Sequence, residues 1–250
     1  MIITELDPIK HDLRLPQIIC DQELDTGRKQ LKEPLPNCSA NVCFVGKPGS
    51  GKSSLAFSLI ANKKQAYNKL FSKIFIVMPP SSLTSLNVKA IRTHKRVYPE
   101  ISEETLDSID ESTDELNEKG KEYHSLVLYD DVGAELKADH ALEQRLKRSA
   151  WNRRHVSRTS WFLIQSWRSL PLAIRKVSTH LFIFKLSQGE LEIIGTELIL
   201  WLDKKQWMDV CRHVFKHSKH TALFVDCERH SLYRLTDMKF YPLEITPPRT

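Results

Sequence analysis

A loop over residues 46–53 constrains the fold of this chain more than any other sequence feature. It reads Gly-Lys-Pro-Gly-Ser-Gly-Lys-Ser, which matches the pattern G-x-x-x-x-G-K-[ST] of loops that bind nucleotide phosphates. The apolar run 41–45 before it predicts a β-strand, and the spacing of apolar residues over 54–60 predicts a helix after it. The chain therefore supplies the strand–loop–helix order that such a loop requires.

The residues of this loop predict a site for ATP and Mg²⁺. Its glycines let the backbone turn its N–H groups inward, and the following helix adds the positive end of its dipole. We expect Lys52 to contact the β- and γ-phosphates and Ser53 to bind Mg²⁺. A glycine-rich turn without a ligand is the weaker alternative. The predicted ATP-binding residues are Gly46, Lys47, Pro48, Gly49, Ser50, Gly51, Lys52, Ser53 and Ser54.

The composition is that of an ordinary globular protein of 250 residues, with 41% hydrophobic and 27% charged residues. No apolar run approaches the roughly 20 residues of a membrane span, so we expect no membrane association. The first residues show no secretory signal pattern. The cysteines number five and lack C-x-x-C spacing, which favours a reducing compartment without disulfides.

Charge is distributed unevenly along the chain. The segment 100–118 holds nine acidic residues and no lysine or arginine, so the rest is more basic than the net charge of +6 implies. A basic surface predicts an anionic partner larger than a nucleotide. A basic surface with no polymer partner is the alternative. For the acidic segment, a solvated helix face is favoured over a metal or catalytic site.

Strand and helix patterns alternate after the loop, which predicts an α/β fold with a parallel sheet and helices on both faces. Strands are predicted at 71–78, 125–129, 159–164 and 180–184, and helices at 54–66, 139–155 and after Pro171. From residue 188 the pattern changes to a helix over 204–217 and a β-hairpin over 222–235. We predict three parts: an N-terminal arm (1–36), a P-loop ATPase core (37–187, with an acidic insertion at about 99–119) and a C-terminal extension packed on the core (188–250).

Two carboxylates end the apolar strand 125–129. Asp130 at a strand tip can support Mg²⁺ directly or through water. The adjacent Asp131 can orient and deprotonate an attacking water, so we expect it to be the general base. A strand entering an acidic turn would give the same pattern. The phosphate loop upstream favours the catalytic interpretation.

Gln165 follows the next predicted strand, at the edge where open α/β sheets bind ligands. It is a candidate sensor of the γ-phosphate; a turn residue with a satisfied amide is the alternative. Upstream lies a basic group, one arginine of which could act as an arginine finger on a neighbouring subunit's ATP, while the others are solvated or contact nucleic acid. Arg153 and Arg154 are the leading finger candidates and Arg175 is the second choice. The upstream group is Arg145, Lys147, Arg148, Arg153, Arg154 and Arg158.

Three segments together resemble the genome-packaging ATPases of poxviruses, giant viruses and virophages, which belong to the FtsK–HerA class of motor ATPases. They are 46–53, 126–131 and 152–175, and the resemblance covers roughly residues 38–186. It implies a RecA-like P-loop NTPase (ASCE) fold in which the Gln165 strand lies between the strands of the loop and of Asp130. Many members of the broader class have Asp-Glu where this chain has Asp-Asp.

The resemblance also implies the partners and the setting. These are a homo-oligomer, expected as a hexameric ring, double-stranded DNA, and a capsid or portal-vertex protein, in the host cytoplasm (viral factory) or the virion. The predicted function is ATP-driven translocation of viral DNA into a preformed capsid. The alternatives are a helicase-like or conjugation-type DNA pump of a mobile element and a nucleotide-gated DNA-binding adaptor. A small-molecule kinase is disfavoured because the sequence shows no second substrate site.

Overall fold

Nine strands of the described residues form one sheet in this computed structural model, which describes residues 31–61, 67, 69–85, 94–119 and 123–245. In chain order the strands are β1 (Asn41–Val45), β2 (Lys73–Val77), β3 (Val97–Tyr98), β4 (Ser125–Asp130), β5 (Arg158–Ile164), β6 (His180–Ile183), β7 (Ala222–Asp226), β8 (Ser231–Thr236) and β9 (Lys239–Pro242). Their order across the sheet is β3-β2-β4-β5-β1-β6-β7-β8-β9.

The six strands from β3 to β6 are parallel, and β7, β8 and β9 continue the sheet in antiparallel fashion. β5 lies between β1 and β4, which confirms the order that the resemblance implies. Carboxyl ends of parallel strands meet at one edge of a sheet, so the phosphate loop after β1, the acids after β4 and Gln165 after β5 share that edge.

Helices cover both faces of the sheet. In chain order they are α1 (Lys52–Ala61), α2 (Pro80–Ser85), α3 (Glu103–Lys119), α4 (Gly133–Ala138), α5 (His140–Trp151), α6 (Leu172–Lys176), α7 (Gln188–Leu198) and α8 (Lys204–Phe215), with a 3₁₀ turn at Trp167–Ser169.

The central strands are short apolar runs because both of their faces are buried. Every residue of β1, β4, β5 and β6 is buried. Successive side chains alternate between two cores: Val42 and Phe44 pack with α1, whereas Cys43 and Val45 pack beneath α3 to α8. This double burial fixes the strand order and so holds the strand tips in place.

Most predicted elements are present, with shifted ends. Asp139 caps α5, accepting hydrogen bonds from the backbone N–H groups of Ala141 (2.9 Å) and Leu142 (3.2 Å). The helix ends at Trp151 and not at residue 155, and α8 ends at Phe215 and not at 217. The predicted continuation of α1 over 62–66 lies outside the described residues. The elements α2, α4, α7, β3 and β9 were not predicted.

The acidic helix α3 confirms one prediction and corrects another. Its residues Glu103, Asp107 and Asp110 all pair with Arg145, at 2.6, 2.7 and 2.7 Å. Asp110 also pairs with the buried Arg158 at 2.8 Å. This face of α3 is solvated, as predicted, since the three acids are 40–61% exposed, and it also pairs with Arg145 and Arg158. Arg145 and Arg158 are engaged within the chain, so neither is available to contact DNA as the sequence suggested.

The region after residue 188 shares the sheet with the rest of the chain, because β7 pairs with β6 along four residues. The division into three parts remains a prediction, and most of the predicted arm 1–36 lies outside the described residues. Among the residues that the structure describes, no helix is both long enough and apolar enough to cross a membrane.

Candidate active site

The phosphate loop connects β1 to α1, and its shape requires glycine at three positions. A Cβ atom on Gly46 would lie 2.7 Å from both the Phe184 Cβ and the Ser50 Oγ, too close for any side chain. Gly49 and Gly51 have φ values of +72° and +106°, in the left-handed region that glycine adopts at little cost. These constraints hold the loop in a tight turn at the start of α1.

Lys52 begins α1, and its side chain folds back under the loop. Its Nζ donates hydrogen bonds to the carbonyl oxygens of Gly46 at 2.6 Å and Lys47 at 3.3 Å. Burial lowers the pKa of Lys52, and the negative charges of Asp130 and Asp131 oppose that decrease. The amine therefore lies between the loop and the acid pair, where it can reach an anion bound by the loop.

Asp130 ends β4 and is buried beside the amine. Burial, with the charge of Asp131 added, raises the pKa of Asp130 to about 6, whereas Lys52 and a hydrogen bond from Ser82 oppose the increase. Asp131 has a φ of +58°, unusual for a residue other than glycine, and its N–H donates to the Leu163 carbonyl at 3.0 Å. The chain turns sharply at Asp131, so the two neighbouring carboxylates point in different directions.

Gln165 follows β5 directly and reaches the acid pair. Its Nε2 donates a hydrogen bond to the Oδ2 of Asp131 at 2.6 Å. The predicted sensor and the predicted base are therefore in contact, at the tips of two neighbouring strands. The structure brings together Lys52, Asp130, Asp131 and Gln165 from positions up to 113 residues apart in the chain.

The residues of this edge fit ATP and Mg²⁺. The Ser50 Oγ is buried and makes no hydrogen bond within the described part of the chain, so it can donate to a phosphate oxygen. The Ser53 hydroxyl and the Asp130 carboxylate are oxygen ligands of the kind that Mg²⁺ prefers. Residues Ser53 and Asp130 would hold the ion, and it would neutralise charge on the phosphates.

The arginines proposed as fingers lie elsewhere. Arg153 donates from Nε to the Ser39 carbonyl at 2.6 Å, just before β1 and hence at the edge opposite the phosphate loop. Both Arg153 and Arg154 approach Glu228, at 3.9 and 3.7 Å. Neither can therefore serve the site of its own chain, and a role at a neighbour's site stays a prediction. The side chain of Arg154 is more exposed, at 25% against 13% for Arg153.

Arg175, the second finger candidate, is tied inside its own chain. Its Nη1 donates to both carboxylate oxygens of Glu197, at 2.6 and 2.5 Å, and its guanidinium lies 5.7 Å from the centre of the Trp167 ring. The Trp167 Nε1 donates to the same carboxylate at 2.7 Å. The structure therefore favours a structural role for Arg175 over a finger.

Two acids of α7 support the segment behind Gln165, and sequence reasoning missed both. The backbone N–H of Trp167 donates to Glu190 at 2.9 Å, while Glu197 binds the indole and Arg175. Their spacing of seven residues puts both acids on one helix face, a signal that was present in the sequence. His220 was also missed: its Nδ1 lies 3.1 Å from the Ser50 carbonyl, a contact across 170 residues.

Comparison with known proteins agrees with the resemblance found in the sequence. The sequence model of the poxvirus A32 protein family matches residues 28–232. The chain belongs to the poxvirus A32 protein family. This membership confirms the resemblance inferred from the sequence. No curated protein matches the chain.

Solved structures share the fold. The DNA-packaging ATPase B204 from Sulfolobus turreted icosahedral virus is 15% identical with a TM-score of 0.56, over 80% of this chain and 98% of that chain. The genome-packaging NTPase B204 from Sulfolobus turreted icosahedral virus 2, in complex with AMPPCP, is 16% identical with a TM-score of 0.54, over 79% and 97%. ATPases 2 and 3 of EssC from Geobacillus thermodenitrificans are 12% identical with a TM-score of 0.53, over 75% and 38%. These likenesses confirm the RecA-like P-loop fold with a mainly parallel sheet.

Mg²⁺ binding at this site should weaken in acid. Since the pKa of Asp130 is raised to about 6, its carboxyl is largely protonated below that pH and ionised above it. A neutral carboxyl is a poor ligand for Mg²⁺. We expect the Mg²⁺-dependent part of ADP binding to strengthen as the pH rises from about 5 to about 7, measured by calorimetry.

The Asp130→Asn variant is the control for this pH dependence. It cannot titrate at this position, so its Mg²⁺ dependence should be weak and should change with pH only as the phosphate of ADP itself titrates. An equal pH dependence in the variant and in the unmodified protein would assign the titration to another group.

Proposed function

We propose that this protein is an ATP-hydrolysing motor that translocates viral double-stranded DNA into a preformed capsid. Membership of the poxvirus A32 family and a fold shared with the DNA-packaging ATPase B204 support the proposal. The observation that carries it is the 2.6 Å hydrogen bond between Gln165 and Asp131 beside the phosphate loop. It brings the proposed γ-phosphate sensor into contact with the proposed general base, an arrangement suited to coupling hydrolysis to movement.

On ATP binding, Lys52 would exchange its hydrogen bond to the Gly46 carbonyl for one to a phosphate oxygen. Its Nζ now donates to the Gly46 carbonyl, and phosphate oxygens are stronger acceptors for a charged amine. The loop N–H groups and the Ser50 hydroxyl would complete the phosphate contacts, with Ser53 and Asp130 on the Mg²⁺ side. This arrangement places the γ-phosphate toward the acid pair.

Hydrolysis would use Asp131 and Gln165 together. The Asp131 carboxylate accepts a proton from the attacking water as the water's oxygen bonds to the γ-phosphorus and the bond from that phosphorus to the β–γ bridging oxygen breaks, which releases ADP. The amide of Gln165 already holds one Asp131 oxygen, so it orients the carboxylate and can exchange that bond for one to the γ-phosphate. Because Glu190 binds the backbone N–H of Trp167, two residues after Gln165, such an exchange would be transmitted to α7.

The motor is proposed to act as a ring, expected to be hexameric, around duplex DNA at a capsid or portal vertex. Within it, Arg154 is the better finger for the neighbour's ATP, because Arg153 is more buried and its Nε is bound to the Ser39 carbonyl. The setting would be the viral factory of the host cytoplasm or the virion.

Duplex DNA should stimulate ATP hydrolysis several-fold, because a motor couples turnover to its track. The measurement is steady-state phosphate release with and without duplex DNA, at low and at moderate salt. The matched variant is Asp131→Asn, which should bind ATP with nearly unchanged affinity. Its turnover should fall by about 10²- to 10⁴-fold with or without DNA, since only the base is lost.

Each result that departs from these expectations would favour a different function or a different catalytic residue. Turnover that is indifferent to DNA would contradict the motor and favour the nucleotide-gated adaptor. Near-normal turnover in Asp131→Asn would move the base to another residue. Turnover that requires a small acceptor would favour a kinase.

Mixing two inactive variants tests the finger in trans. Arg154→Ala subunits keep an intact ATP site, and Lys52→Ala subunits keep an intact arginine. An Arg154→Ala site that receives Arg154 from a Lys52→Ala neighbour should regain activity, so mixtures should exceed either variant alone. The control is a mixture of Arg148→Ala and Lys52→Ala subunits. Its activity should be no greater than that of the Arg148→Ala subunits alone. No recovery at any mixing ratio would exclude Arg154 as the finger.

A further inference from the structure

A cavity of about 460 Å³ lies beside the phosphate loop, on the side away from the acid pair. One wall is the first part of α1, and the opposite wall is the turn between β8 and β9. Its lining includes the apolar residues Leu55, Ala222, Leu235 and Met238, with Ser58 and Asp237 among the polar ones. An apolar cavity with a few polar groups is the usual form of a small-molecule site.

The cavity is continuous with the phosphate loop. Gly49 and Gly51 form part of its lining, so a group attached to loop-bound phosphates would extend directly into it. His220 lies at the junction: its Nδ1 is 3.1 Å from the Ser50 carbonyl and would be 3.5 Å from a Cβ on Gly51. The phosphate loop therefore borders a second binding space, which residues 220–238 help to form.

The β8–β9 turn is strained where it faces this cavity. Asp237 and Met238 both have positive φ values, 48° and 58°, as in a type I′ hairpin turn. Asparagine and glycine are preferred at such positions, and a long side chain is unfavourable there. Met238 nevertheless remains 43% exposed, with its Sδ 4.0 Å from the Ser58 Oγ across the cavity. Its side chain accepts that one hydrogen bond from Ser58 and otherwise lines the cavity with much of its surface exposed.

We propose that this cavity holds the nucleoside of the bound nucleotide and that Met238 packs against the base. A thioether is polarisable and makes favourable contacts with flat rings, and Leu55 and Leu235 supply apolar surface around it. This inference rests on the proposed function, since it assumes that the phosphates of the same nucleotide lie in the loop. It assigns nucleoside recognition to the C-terminal turn and phosphate recognition to the loop.

The test is the Met238→Gly variant, which removes the side chain and relieves the turn. Glycine is favoured at a positive φ, so the thermal midpoint of unfolding should equal or exceed that of the unmodified protein. Calorimetry would measure the binding of Mg²⁺–ATP and of Mg²⁺–tripolyphosphate, which lacks a nucleoside. We expect ATP affinity to fall about tenfold in Met238→Gly while tripolyphosphate affinity stays unchanged.

His230→Gly is the matched control. His230 also has a positive φ, 55°. It lies in the β7–β8 turn, at the opposite ends of the strands from the phosphate loop, and its ring stacks on that of Trp201 with centroids 4.4 Å apart. It should leave both affinities unchanged. Full ATP affinity in Met238→Gly, or equal affinity of the unmodified protein for ATP and tripolyphosphate, would overturn the nucleoside site and leave the phosphate site standing. Binding of neither ligand to the unmodified protein would instead overturn the proposed function.

Discussion

Replacing Lys52 with alanine is expected to abolish ATP turnover, with a loss of at least about a thousandfold in the rate of phosphate release. Lys52 is the buried cation between the phosphate loop and the acid pair, and its Nζ is already directed to the loop carbonyls. In its absence the phosphates would lose their direct positive charge. The negative charges of Asp130 and Asp131 would then repel them with one fewer cation nearby.

Two controls make this result specific. Lys205→Ala removes an exposed lysine in the first turn of α8 and should leave turnover unchanged. Lys52→Met keeps the volume and the apolar stem of the lysine, so it separates loss of charge from a cavity. Both Lys52 variants should be inactive while retaining cooperative thermal unfolding. Turnover within a few-fold of normal in folded Lys52→Met would contradict the assignment of the phosphate site.

Replacing Arg175 with alanine should destabilise the fold by about 3–5 kcal/mol, because the Glu197 carboxylate would remain buried without its cation. The side chains of this pair are only 11% and 19% exposed, and Trp167 is bound to the same carboxylate. Urea denaturation would measure the change in the free energy of unfolding. A loss of this size exceeds a third of the stability of many single domains.

An exposed ion pair provides the comparison. Arg212 pairs with Asp209 one turn away on α8, where solvent screens the charges. Arg212→Ala should therefore cost no more than about 1 kcal/mol. The double variant Arg175→Met with Glu197→Leu should recover much of the loss, since neither charge stays buried. Equal losses in Arg175→Ala and Arg212→Ala would show that the buried pair does not stabilise the sheet edge behind Gln165.

The sequence predicted well those parts of the site that are encoded by neighbouring residues. The phosphate loop is specified by glycine positions, a lysine and a serine within one segment, and the flanking strand and helix follow from apolar spacing. The acids and Gln165 were located by the strand ends that they follow. Their proximity depends on the strand order, which the resemblance supplied and the residue pattern alone could not.

The parts that were not predicted depend on contacts between distant segments. The acidic helix α3 has the pattern of a solvated helix, and only its packing reveals that Arg145 and Arg158 pair with acids on one of its faces. The contact of His220 with Ser50 requires that β7 return to the edge of the phosphate loop. The type I′ turn at Asp237 and Met238 lacks the usual glycine, so turn chemistry gave no signal.

The sheet has two unlike ends: the parallel two-residue strand β3 at one side and the antiparallel strand β9 at the other. A contact that joins these ends in successive subunits cannot be two-fold symmetric, because each subunit contributes a different surface to it. Assemblies of this head-to-tail kind close into a ring only when the rotation per subunit divides a full turn, and otherwise grow as helical filaments. The number of subunits is then set by the angle of the interface, not by the architecture of the single chain.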